Sequence, residues 1–431
     1  MSAAGQSLSP PQVTRDIELA QEAFERVHPG YDRYTDETVL DAAWQAIIAD
    51  AITASGMSTE ALYLRVQGVL ALMRCGHTKA ELPAALARAR RIDPVYLPLR
   101  FELVEGRAIV IAVVPNSGVA VNDEVLSIDG LAIETLVQRY APLIPVDGFT
   151  DYMKHFELAW SLEFSGGGIE HFMALDGVSP TAMLTLRDAE GAKREVVVQR
   201  IGLDAQRALV DPGEANFSDA VSVEYPDPKT AVLRVDTFVN YRKPVDPDDL
   251  YAPLFKELSA RGIEHLIVDL RRNGGGSNDA RDRLLAHLIA KRTYIQREEH
   301  VKTLNLDGLR EHLSTWDSRA LNPKRWWFSK NDDGSYRMRQ WWFGTGGHIK
   351  PARHAFKGRL TMLSSGGNAS GTTMLLGALQ ETGRARIVGE LTGGNIAGPT
   401  AGVLFTLALP ESKIRLRLPI VRTITGYDAA D

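Results

Sequence analysis

From residue 231 onward the sequence alternates between short β-branched runs and longer helical stretches, and this alternation limits the fold more than any other feature. Residues 231–238 read as a strand, 247–260 as a helix and 265–270 as a strand. Residues 279–290 read as a helix opened by Ser277 or Asn278. The order resumes with a strand at 359–365, a helix at 371–381 closed by Gly383, and a strand at 386–388. Such an order predicts βαβ units around a mostly parallel sheet. Residues 402–409 and 413–420 read instead as an antiparallel hairpin across Pro410-Glu411-Ser412.

Two units of different character precede this one. Within residues 13–27, Ile17, Leu19, Ala20, Ala23, Phe24 and Val27 recur near a helical period, and His28-Pro29-Gly30 stops the helix. Residues 37–54 and 58–73 repeat the pattern, the latter capped by Ser58 or Thr59 and ending near Cys75-Gly76-His77. Between Pro94 and Ile201, runs at 96–103, 108–114, 124–128, 182–186 and 194–200 predict a small β-rich module. Its inserted stretch, 136–172, is partly helical and broken at Ser165-Gly166-Gly167-Gly168. The units span 1–93, 94–201 and 202–431, which agrees with about three domains for a chain of this length.

Residues 300–355 interrupt the alternation and hold five of the seven tryptophans. Asp333-Gly334 predicts a two-residue hairpin turn that sets Trp326 opposite Trp341. The insertion reads as extra core, as a wall or lid beside a cleft, or as an interaction surface.

Composition narrows the chemistry. A net charge of −5 argues against broad nucleic-acid binding. No apolar run approaches the roughly 18 residues of a membrane span. The single cysteine, Cys75, excludes an intrachain disulfide and a cysteine-built zinc cage. No H-E-x-x-H motif is present, so neither a metal nor a cofactor is expected.

Two glycine-rich turns carry the candidate chemistry. Asp269-Leu270-Arg271-Arg272-Asn273-Gly274-Gly275-Gly276 follows a buried strand and precedes a helix. Its amides suit an anion nest or an oxyanion hole, although a plain strand–helix turn reads the same way. Gly366-Gly367-Asn368-Ala369-Ser370-Gly371 also joins a strand to a helix. A hydroxyl at Ser370 feels the positive helix end, with the Gly371 amide beside it; an ordinary N-cap serine looks identical. Ser364 and Ser365 are rival nucleophiles on the strand side. His77 is a lone histidine in Gly76-His77-Thr78, and lone histidines are usually structural. A Cys75–His77 pair is disfavoured, because residues two apart do not face each other on a helix.

In order, these turns resemble the serine peptidases of the C-terminal-processing and tricorn-core family. That family carries a D-L-R-x-N-x-G-G strand end, then a nucleophile turn before a helix reading G-A-L (Gly377-Ala378-Leu379), then G-E-x-T-x-G (Gly389 to Gly394). Residues 115–130, ending Asn122-Asp123-Glu124-Val125-Leu126-Ser127-Ile128-Asp129-Gly130, look like its PDZ domain. The helical start ending in Gly-His-Thr resembles the tricorn-type branch. The resemblance implies an α+β multidomain protein: a helical N-terminal domain, a PDZ-like β domain and a crotonase-like (ClpP-like) α/β catalytic domain. It implies Ser370 as nucleophile, His77 as general base, and the Gly275 and Gly371 amides as oxyanion hole. The lysine of the processing branch falls at Asn395, and its glutamate at Thr373; the only lysine after Ser370 is Lys413. Both absences favour the histidine branch. Its orienting acid falls at Asp428, with Glu390 second. The expected partner is a peptide or unfolded protein, with no nucleic acid and no transmembrane segment. A lipophilic-ligand carrier and an esterase are the alternatives. The resemblance favours an exported, periplasmic protein with its signal removed, whereas the visible amino terminus reads as cytoplasmic.

Overall fold

The computed structural model describes residues 7–161, 163–164, 166–209, 216–295, 298–339 and 347–427. The amino-terminal unit forms as its periodicity requires. Helix α1 (Pro10–Val27) opens with a capping box between Ser9 and Gln12 and buries Val13, Ile17, Ala20, Phe24 and Val27. Helix α2 (Glu37–Thr53) is capped by Asp36, which accepts from the Thr38 amide. Helix α3 (Thr59–Leu72) is capped by Ser58 rather than Thr59. Trp44 is fully buried where α1 and α2 cross, its ring centroid 6.3 Å from that of Phe24. Strand β1 (Lys79–Glu81) and helix α4 (Ala84–Ile92) complete the unit.

The middle module is antiparallel. Strands β2 (Leu99–Val104), β3 (Arg107–Val113), β4 (Glu124–Ile128), β5 (Thr181–Arg187) and β6 (Lys193–Gln199) pair in that spatial order. The stretch expected to be partly helical holds α5 (Ile133–Tyr140), α6 (Asp151–Ala159) and α7 (Gly168–Asp176).

The predicted alternation forms a five-stranded sheet. Strands β7 (Val221–Asp227), β8 (Thr230–Val235) and β9 (His265–Asp269) lie side by side. Helix α8 (Pro247–Ala260) links β8 to β9, and α9 (Asn278–Leu288) follows β9. Only β7 runs antiparallel. It was not expected: Val221, Val223 and Tyr225 alternate with polar residues, the weak signature of a half-exposed edge.

In the insertion, β10 (Glu298–Val301) precedes a hairpin of β11 (Phe328–Lys330) and β12 (Tyr336–Met338). The hairpin is where Asp333-Gly334 predicts it, but the register is Phe328↔Met338, one residue from that of a two-residue turn. Asn331 to Ser335 form a longer loop instead, held by Asn331 and Ser335 backbone pairing and by Asp333 accepting from the Ser335 amide. The expected Trp326–Trp341 pair lies outside the described residues, as does Trp342.

The parallel sheet resumes with β13 (Arg359–Ser364), helix α10 (Ser370–Glu381) and β14 (Arg386–Gly389). Its final order is β7-β8-β9-β13-β14. Leu233, Leu266, Val268, Met362 and Leu375 fill the core around it. The two glycine-rich turns leave the carboxyl ends of neighbouring strands β9 and β13, where open α/β sheets place ligands.

The carboxyl-terminal hairpin, β15 (Thr400–Ala408) and β16 (Arg415–Ile424), stands outside this sheet. Its Phe405, Leu407, Leu416 and Leu418 share one core with the amino-terminal helices and the middle module. Strand β16 also takes β1 as a neighbour, with Arg417↔Lys79 and Leu416↔Ala80 in register. Among the described residues no helix is long and apolar enough to cross a membrane. Leu416 is fully buried at this junction. Leu416→Ala is expected to cost about 2–5 kcal/mol in chemical denaturation; an unchanged midpoint would mean that the junction carries no stability.

Candidate active site

The first glycine turn presses directly on the second. A Cβ built on Gly275 would lie 3.0 Å from the Ser370 Cβ and 3.1 Å from the Gly371 nitrogen, and its φ is +108°. Both the space and the backbone therefore demand glycine there. Two buried asparagines lock the turns together. Asn273 gives its Nδ2 to the Val235 carbonyl, and its Oδ1 accepts from the Gly275 amide and the Thr372 hydroxyl. Asn368 donates to the carbonyls of Leu270 and Asn273 and accepts from the Ser365 amide. Fully satisfied buried networks of this kind fix one geometry.

Ser370 is the first residue of α10, and Ala369 is the cap. The serine has a φ of +50°, a conformation that costs a non-glycine residue energy and clusters at functional sites. It is half-buried, and its hydroxyl has no hydrogen-bond partner among the described residues. The rivals are occupied: Ser364 donates to the Glu390 carbonyl and Ser365 to the Arg271 carbonyl.

The two amides expected to form the oxyanion hole differ in their engagement. The Gly371 amide has no acceptor among the described residues. The Gly275 amide donates to Asn273 Oδ1 at 2.9 Å and is already engaged. Behind Gly371 lies Arg281, 2% exposed, with Cδ 3.3 Å and Nη1 3.9 Å from a Cβ built on that glycine. Its helical context in the sequence gave no sign of this position.

His77 follows a left-handed turn at Arg74 (φ +52°) and leads into β1. Arg417, opposite Lys79 in β16, donates through Nε to the His77 carbonyl at 2.8 Å. Burial pushes the imidazole pKa below its ordinary value; Asp147 opposes that shift and Arg417 adds to it. The ring is therefore neutral at pH 7.

The acid beside it is Asp147. Its Oδ1 accepts from the Gly76 amide at 2.7 Å, and Oδ2 lies 4.0 Å from His77 Nδ1. The sequence analysis missed it. Asp147-Gly148 reads only as a turn within an irregular stretch, and nothing local links it to His77. Glu390, the second expected acid, accepts from the Gly366 amide at 2.8 Å and braces the serine turn. Asp428 lies outside the described residues. Lys413 donates to the Pro410 carbonyl at the hairpin tip, and Asn395 donates to the Tyr34 hydroxyl.

The loop 393–400 connects the two halves. Gly394 packs on Ala369, with 3.2 Å between its built Cβ and the Ala369 Cα, and its amide donates to the Asn368 carbonyl. On the other side, Thr150 donates to the Gly393 carbonyl and Gly148 packs on Asn395. The Cys75 thiol reaches the Thr400 carbonyl, and burial pushes its pKa up, which rules against a thiolate nucleophile. Cys75 and Gly148, chain neighbours of His77 and Asp147, thus touch the same loop as Ala369 next to Ser370.

Residues 229–425 match the profile of Peptidase family S41. No curated protein matches the sequence. Among solved structures, mature CPAF complexed with lactacystin is 17% identical, with a TM-score of 0.61 over 97% of this chain and 90% of that one. A serine-to-alanine mutant of CPAF is 16% identical, with a TM-score of 0.64 over 98% of this chain and 91% of that one. These likenesses show the shared fold. Asn273→Ala is expected to lower stability by about 1–3 kcal/mol for each polar partner it strands. Thermal unfolding measures this, and an unchanged transition would contradict the interlocking role.

Proposed function

Since residues 229–425 form a domain of Peptidase family S41 and make this chain a serine peptidase, we propose that Ser370 is its nucleophile and His77 its general base. The observation that carries this reading is the strained helix start at Ser370, whose hydroxyl has no partner among the described residues, beside a 393–400 loop that touches Ala369 on one side and Gly148 and Cys75, neighbours in sequence of Asp147 and His77, on the other. Ser370 Oγ attacks the scissile carbonyl while His77 takes its proton. His77 then returns the proton to the leaving amine, and a water activated the same way releases the acyl group. Asp147 orients the ring and stabilises the imidazolium. The Gly371 amide and the helix start favour negative charge on the carbonyl oxygen, whereas the nearby Arg281 is ion-paired with Asp282. Release of the Gly275 amide from Asn273 would add a second donor.

The proposed substrate is an extended stretch of unfolded or carboxyl-terminal polypeptide. The antiparallel middle module supports this as a PDZ-like element, to which such a segment adds as a further strand. The carrier alternative has one feature to point to, a largely apolar cleft between α1, the insertion and the terminal hairpin, lined by Val27, Leu306, Trp327, Phe328 and Phe405, but its volume of about 60 Å³ is small for a lipophilic ligand.

A fluorophosphonate probe separates the two readings. Labelling at Ser370 that disappears in His77→Ala supports the dyad, whereas no labelling beside a reactive control hydrolase would defeat it. Ser370→Ala is expected to lower kcat/KM at least about a thousandfold, and Asp147→Asn roughly a hundredfold or more. Because burial lowers the His77 pKa, the base form persists into mildly acid solution. The acid limb of kcat/KM is expected below about pH 6.5; a midpoint above 7 would contradict the assignment.

A further inference from the structure

Cys75, His77 and Asp147 do more than surround the base. One ligand atom from each residue lies within 4.8 Å of the other two. The sequence disfavoured contact between Cys75 and His77 on helical geometry, but α3 ends at Leu72 and both residues occupy the following turn. There a separation of two residues does not forbid approach.

The cluster has unused coordinating capacity. His77 Nδ1 is completely buried and has no hydrogen-bond partner. Asp147 uses Oδ1 for the Gly76 amide and leaves Oδ2 pointing towards the imidazole. The amide bond fixes the carboxylate as an outer-shell partner fixes a metal ligand. The Cys75 thiol lies 3.6 Å from the Thr400 carbonyl, and the His77 and Thr78 amides beside its sulfur favour the thiolate that a metal would bind. Thiolate, imidazole and carboxylate together suit Zn²⁺, which sits about 2.0–2.3 Å from each such atom and leaves the ligand atoms ~3.5 Å apart. The 4.0 Å between Nδ1 and Oδ2 is a short closing movement from that distance.

We propose that Cys75, His77 and Asp147 form a Zn²⁺ site that switches the peptidase off. Binding releases the thiol proton to solvent. The metal takes the Nδ1 lone pair, so the single proton of the neutral imidazole resides on Nε2. That nitrogen then donates a hydrogen bond and no longer accepts the Ser370 proton. The inhibitory role rests on His77 being the base, whereas the metal site itself does not.

The test uses the full chain and two readouts. Zn²⁺ is expected to slow peptide hydrolysis at least about tenfold, and a chelator to restore it. Co²⁺ in place of Zn²⁺ is expected to give a thiolate-to-metal charge-transfer band. Cys75→Ala should keep the metal-free rate, lose the cobalt band and need at least about tenfold more Zn²⁺ for the same inhibition. Cys75→Ser serves if the alanine variant folds poorly, with the same loss of the band expected. No thiolate–cobalt band at saturating metal overturns the site, as does equal zinc sensitivity in both cysteine variants. A cobalt band on a chain that hydrolyses no peptide keeps the site and removes the peptidase reading instead.

Discussion

The pairing of β1 with β16 is the interaction on which the arrangement depends. Lys79, Ala80 and Glu81, two to four positions after His77, pair with a strand more than three hundred positions away, with Arg417 directly opposite Lys79. Arg417 also holds the His77 carbonyl. The proposed base is thereby a guest of the carboxyl-terminal hairpin, whose Leu416 and Leu418 are packed into the core of the helical unit. Loss of this pairing would separate base from nucleophile without touching either residue.

The nucleophile side is built differently. There the precision comes from two glycine turns leaving adjacent parallel strands and from two buried asparagines between them. Buried side-chain amides bonded on both sides leave little freedom, and Ser370 is held in a backbone conformation it would not choose alone. The proposed nucleophile stands on the α/β sheet and the proposed base on another unit, and chain neighbours of both touch the 393–400 loop. That division suits an enzyme whose substrate must thread between units.

Local rules made much of this legible. The helical period of α1, the cap of α3, and the strand–helix alternation after residue 230 each arise from side chains acting within a few residues of themselves. Ser370 was visible because a helix start after small residues is itself a local signal. Asp147 was not, because its role comes from a fold contact with Gly76, some seventy residues away. The surroundings of Glu390 were hidden for the same reason: its partner, the Gly366 amide, is set by the pairing of β13 with β14. The Asp333-Gly334 turn was found but its register was not, since the Asp333 carboxylate organises a longer loop.

The central claim is that His77 is a neutral base oriented by Asp147, and its ring nitrogens report this directly. A pH titration of ¹⁵N-histidine chemical shifts, with His77 assigned from its alanine variant, should show a pKa below the ordinary value of about 6.5. Because the Asp147 charge raises that pKa against the effect of burial, Asp147→Asn should lower it further. A His77 that titrates above 7, or that is indifferent to Asp147→Asn, would contradict the account.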